Sequence, residues 1–211
     1  MRSSSPPHTF RRVLVGPGLV ALGIIGSVGC STQPPRVTAP EIDPDQVAGK
    51  ALELYDRNQD GLLAGEELSN GFREFVTTAD EDHDDKLSEA EIIKRLQEHV
   101  DDRVGLQDIG GIVSLNNRPL IGATVTFIPD SAFEGAITEA SGVTDAVGFV
   151  QLRHADSELP GVKPGLYRIE VRHNDQGRER IPGRFNEQST LGIEVGLNVS
   201  QGGWKLDLRG N

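Results

Sequence analysis

Residues 56–67 read Asp-Arg-Asn-Gln-Asp-Gly-Leu-Leu-Ala-Gly-Glu-Glu, and residues 80–91 read Asp-Glu-Asp-His-Asp-Asp-Lys-Leu-Ser-Glu-Ala-Glu. Aligned on their first aspartate, both stretches place a side-chain oxygen at positions 1, 3 and 5 and a glutamate at position 12. Both carry a leucine at position 8, Leu63 and Leu87. Apolar residues recur at helical spacing around them. Val47, Ala51, Leu54 and Tyr55 precede the first stretch, Leu68, Phe72, Phe75 and Val76 lie between the two, and Ile92, Ile93, Leu96 and Val100 follow the second. Twelve residues separate Glu67 from Asp80, so one helix must leave the first stretch and enter the second.

This duplicated pattern resembles the EF-hand family, whose loops bind calcium. Calcium is a hard cation that takes six to eight oxygens, and acids at alternate positions can turn three side chains toward one point. The resemblance implies side-chain ligands Asp56, Asn58, Asp60 and Glu67 in the first loop, with the Leu62 carbonyl at position 7. In the second it implies Asp80, Asp82, Asp84 and Glu91, with the Lys86 carbonyl. Gly61 meets the positive φ expected at position 6, where the second loop has Asp85 instead. At position 9 the first loop has Ala64, which offers no oxygen, and the second has Ser88, which can orient a water. The short connection is more like the compact duplicated loops of dockerin modules than a calmodulin-like pair.

Beyond Asp108 the period changes from helical to alternating. Ala123-Val125-Phe127, Tyr167-Ile169-Val171, Ile193-Val195-Leu197-Val199 and Trp204-Leu206-Leu208 alternate with polar or small residues, and 111–115 and 148–152 add two more segments. The pattern predicts antiparallel strands with one wet face, arranged as a sandwich. Gly111-Ile-Val-Ser-Leu-Asn, Pro119-Leu-Ile-Gly-Ala-Thr-Val-Thr-Phe127, Thr144-Asp-Ala-Val-Gly-Phe149 and Pro164-Gly-Leu-Tyr-Arg-Ile-Glu-Val171 are similar to the carboxypeptidase regulatory-like family, with its transthyretin-like or Ig-like sandwich. The expected fold is therefore multidomain, a small all-α EF-hand pair (45–104) followed by an all-β sandwich (108–211). Asp145 reads as a turn former.

The N-terminus has a different character. Arg2, Arg11 and Arg12 precede an apolar stretch that ends in Ser27-Val28-Gly29-Cys30 and contains the only cysteine. A basic start and a short apolar core describe a secretory signal. The terminal tetrapeptide resembles a bacterial lipobox, which implies removal of 1–29, lipidation of Cys30 and a proline-rich linker over 30–44. That places the protein in the cell envelope, lipid-anchored on the extracytoplasmic side of a bacterial membrane.

A formal net charge of −11 argues against nucleic acid as a partner. Residues 41–108 carry twenty acids against seven bases, so the acidity is concentrated around the two loops. No nucleophile elbow, phosphate loop or zinc motif is present, and no enzyme activity is expected. His83 sits at position 4 of the second loop, and His99, His154 and His173 lack a local partner pattern. The functional expectation is calcium binding in a structural role. The alternative is a surface interaction or adhesion module whose sandwich binds a protein or glycan.

Overall fold

The structure is a computed structural model that describes residues 37–154, 157, 159–197 and 203–210. The signal and lipidation residues, Cys30 among them, lie outside the described residues, as does Val199. All described residues belong to one compact unit, Arg36–Asn211.

Three helices come first: α1 (Pro44–Tyr55), α2 (Asn70–Ala79) and α3 (Glu89–Asp102). Each has a local start signal. The Asp43 carboxylate accepts from Gln46 N and Pro44 occupies the first turn of α1. Ser69 and Ser88 cap α2 and α3 through their hydroxyls. Two three-residue strands, β1 (Leu62–Ala64) and β2 (Lys86–Ser88), pair antiparallel with Leu63 opposite Leu87.

Eleven further strands follow among the described residues. They are β3 (Gly110–Leu115), β4 (Arg118–Pro119), β5 (Thr124–Pro129), β6 (Ala140–Val143), β7 (Phe149–Gln151), β8 (Arg153–His154), β9 (Gly165–Arg172), β10 (Asn174–Asp175), β11 (Arg178–Glu179), β12 (Gly192–Val195) and β13 (Trp204–Leu208). A five-stranded sheet runs β12-β9-β5-β6-β8, and a second runs β13-β3-β4 with β7 also on β3. The turn between β6 and β7 is held by Asp145, whose Oδ1 accepts from the backbone N–H groups of Val147 and Phe149, each at 2.9 Å.

The expected two-domain architecture is overturned. Among the described residues the protein is mostly β with three short helices, and neither a separate all-α EF-hand pair nor a distinct sandwich following it is present. The helical segment contains its own small sheet, and its apolar face merges with that of the strands. Ala48, Phe72, Phe75, Ile92 and Leu96 belong to one continuous buried cluster with Val113, Phe127, Tyr167 and Val195. The physical reason is the close seating of α2 on the edge of the five-stranded sheet. A Cβ on Gly71 would lie 2.9 Å from Leu166 Cβ, and one on Gly192 would lie 1.8 Å from the Asn70 carbonyl oxygen. Two glycines thus let helix and strand backbones meet, and the helical face is closed by the sheet rather than by other helices.

Three local expectations also change. Leu54 is 42 % exposed rather than part of the buried helical face. The helix between the loops is not continuous from the first loop, because Gly65–Glu67 forms a 3-10 turn and Leu68 and Ser69 are extended before α2 begins. The strands are not all antiparallel, since β13 lies parallel to β3. The chain reaches β13 after leaving β12 in the other sheet, so it arrives by a crossover rather than a hairpin.

Candidate metal centre

The two acidic stretches fold into loops that share most of their hydrogen bonds, position by position. Asp56 ends α1 and Asp80 ends α2. Asp56 Oδ1 accepts from Gln59 N (2.7 Å) and Asp60 N (3.3 Å), and its Oδ2 from Gly61 N (2.9 Å). Asp80 repeats this with His83 N (2.7 Å), Asp84 N (3.3 Å) and Asp85 N (2.9 Å). Position 3 then accepts from the backbone of position 5, and position 5 from that of position 7, in both loops. The glutamates at position 12 fold back across the loop. Glu67 Oε1 accepts from Arg57 N at 3.1 Å and Asn58 N at 3.3 Å, and Glu91 Oε1 accepts from Glu81 N at 3.0 Å.

The backbone takes positive φ at position 6 of both loops. Gly61 has φ of 81° and Asp85 takes the same left-handed region at 62°. Gln59 and His83, at position 4, also have positive φ, at 60° and 62°, and His83 is exposed. Leu62 and Lys86, whose carbonyls are the candidate ligands at position 7, open β1 and β2, so the small sheet fixes both at once. Ser88, at position 9, also starts α3. Its hydroxyl caps α3, accepting from Glu91 N, and donates to Glu91 Oε2 at 2.7 Å. It therefore orients a candidate ligand directly.

The donor sets differ electrostatically. In the second loop Asp80, Asp82 and Asp84 each bring a carboxylate oxygen within 4.8 Å of the others. Desolvation, followed by the adjacent Asp84 charge, pushes the Asp82 carboxyl up. Desolvation also pushes Asp80 up, but the N–H donors of Asp85, His83 and Asp84 outweigh it and hold the carboxyl below its ordinary range. At Glu91 desolvation is likewise outweighed, here by the Ser88 backbone and hydroxyl and by Glu81 N, and the carboxyl is held low. In the first loop Asn58 replaces one carboxylate, and its amide donates to Asp60 Oδ2 at 3.2 Å. That loop relieves its own repulsion in part, while the second concentrates like charge. All these donors are oxygens, which suits a hard cation rather than a soft one.

A feature with no local sequence signal sits behind the second loop. Glu194, in β12, is buried, and its Oε1 lies 2.7 Å from His99 Nε2 and 3.0 Å from Arg95 Nε, both on α3. Thr78, on α2, donates to Glu194 Oε2 at 2.6 Å. Gly196 leaves the space that the His99 ring fills, since a Cβ there would lie 2.1 Å from His99 Cε1. Behind the first loop, Asp130 accepts from Tyr55 Oη at 2.9 Å and from the Ser69 hydroxyl. A recess of about 240 Å³ with a mixed polar and apolar lining opens beside this contact, bounded by Tyr55, Ser69, Asn70, Asp130, Ser131 and Arg168 together with Ile128 and Pro129.

A scan against protein-family models finds no match for this chain, and a search of curated proteins finds no relative. No helix of the described residues is long and apolar enough to cross a membrane.

Proposed function

We propose that the protein binds calcium through the loops 56–67 and 80–91, in the manner of an EF-hand pair. The observation that carries this reading is the duplicated loop geometry. Two twelve-residue segments share one hydrogen-bond pattern, and their candidate ligands are all oxygens. Asp56, Asn58, Asp60, Glu67 and the Leu62 carbonyl would hold one ion, and Asp80, Asp82, Asp84, Glu91 and the Lys86 carbonyl the other. A bound cation supplies the positive charge that offsets the crowding of Asp82 against Asp84. The role is structural: calcium stiffens a module that shares its core with the sheets. The basic-then-apolar N-terminus and Cys30 support an extracytoplasmic, lipid-anchored setting, where affinities on the order of 0.1–1 mM serve.

Calorimetric titration of the full chain in mild detergent, with far-UV circular dichroism in parallel, tests the reading. Heat of binding and a rise in ordered structure are expected as calcium reaches the millimolar range. Changing both Glu67 and Glu91 to Gln should remove most of the response. A wild-type protein with no heat and no spectral change at several millimolar calcium overturns the proposal.

A further inference from the structure

Each loop is straddled by attachments, on the segment entering it and on the segment leaving it, that end on a single carboxylate of the β region. Tyr55 is the residue before Asp56, and Ser69 lies two residues after Glu67; both hydroxyls donate to Asp130. Thr78 lies two residues before Asp80, and Arg95 and His99 follow Glu91 on α3; all three bond Glu194. None of these residues belongs to a ligand set. They hold the segment entering each loop and the segment leaving it to the same point.

Both carboxylates are themselves anchored. Asp130 N donates to the Leu166 carbonyl at 2.9 Å, and Asp130 Oδ1 also takes Ala132 N at 3.0 Å. Glu194 stands opposite Leu166 in the β12–β9 register. Asp130 and Glu194 therefore both adjoin Leu166 of β9, against whose side chain Gly71 of α2 is seated. Glu194 has a side chain 1 % exposed, with His99 at 3 % and Arg95 at 12 %, so its contacts are shielded from competing water.

We propose that Asp130 and Glu194 are positioning residues for the two metal loops, Asp130 for the first and Glu194 for the second, and that they set metal affinity from outside the ligand sets. This rests on the calcium reading above. The physical basis is pre-organisation. A loop whose two ends are already fixed loses less conformational freedom when its ligands close, so more of the coordination energy appears as affinity. By linkage, an ion bound in either loop also tightens the contact behind it. The helices are held to the sheet, which favours a fixed module over one that opens a groove.

The test is calcium titration of full-length variants in which one loop is silenced. In a Glu91→Gln background only the first loop responds, and Asp130→Asn is expected to weaken it on the order of tenfold. In a Glu67→Gln background Glu194→Gln is expected to weaken the second loop by a similar factor. The crossed combinations should change little. This selectivity separates positioning from a general loss of stability, which would weaken both loops alike. Tyr55→Phe and Thr78→Val each remove one hydroxyl and are expected to give smaller, same-loop losses; they carry the test if a carboxylate variant fails to fold. Unchanged affinities in folded variants, or equal losses at both loops, overturn the positioning role while leaving calcium binding intact. No calcium response in the wild type overturns both.

Discussion

Leu63 and Leu87 stand directly opposite each other across the two-stranded sheet between the loops, and neither has any exposed surface. This contact ties the two candidate centres into one unit, because each leucine lies next to the position-7 residue of its own loop. Truncating either to alanine leaves a cavity at the centre of the pair. The expected loss is about 2–5 kcal/mol of unfolding free energy, read by chemical denaturation. Both loops should lose calcium affinity together, unlike the loop-selective losses expected behind them.

The Glu194 carboxyl gives the protein an acid limit. Burial pushes it up, but His99, Thr78 and Arg95 outweigh that and hold it below its ordinary value. A carboxyl lowered in the folded state contributes stability that is present above the unfolded value and is lost as the pH falls through the folded one. The midpoint of thermal unfolding should therefore drop as the solution is acidified below the ordinary carboxylate range. Glu194→Gln should be less stable at neutral pH, and its midpoint should change less over that acid window. An equally steep acid loss in the variant would show that other carboxyls set the limit.

Gly192 tests the seam between helix and sheet. An alanine there would drive its Cβ into the Asn70 carbonyl oxygen, a backbone atom at the start of α2. The strand or the helix must shift, at a cost of about 1–3 kcal/mol. Denaturation followed by Trp204 fluorescence and by far-UV circular dichroism should remain one coincident transition at lower denaturant. Two separated transitions would show that the helices and the sheets melt independently.

Asp85 offers the opposite prediction. It holds φ of 62°, a conformation that costs a side-chain-bearing residue about 1 kcal/mol relative to glycine. Asp85→Gly should therefore leave folding stability unchanged or raise it by up to about 1 kcal/mol, the gain being offset in part by the freer unfolded chain. The measurement is thermal unfolding in chelator. A marked loss would mean that the Asp85 side chain has a role beyond the turn.

The loops were legible in the sequence because their geometry is local. The resemblance implies the leucine pairing and the positive φ at position 6, and both depend on residues within one segment. The strands at 110–115, 124–129 and 165–172 were legible for the same reason, as alternation is a local signal. What was not legible is long-range. Ala-Ser-Gly-Val at 140–143 has no alternation of large apolar residues, yet it is a strand because β5 and β8 flank it. The parallel placement of β13 depends on which sheet the chain has just left. Glu194 reads as the polar residue of a half-wet strand, and His99 as a lone histidine; only the fold brings them to 2.7 Å. The separation into two domains failed for the same reason. Gly71 and Gly192 look like ordinary helix and turn glycines until the two backbones are seen to touch.

The shared core has a practical consequence for anyone cutting this protein apart. A break between α3 and β3 gives two fragments, and neither carries a complete apolar interior: one keeps Phe72 and Phe75, the other Leu166 and Val195. Such fragments are natural candidates for reassembly. With the candidate ion loops on one piece and Asp130 and Glu194 on the other, the seam has the layout of a split reporter whose signal would follow the metal if the loops bind it.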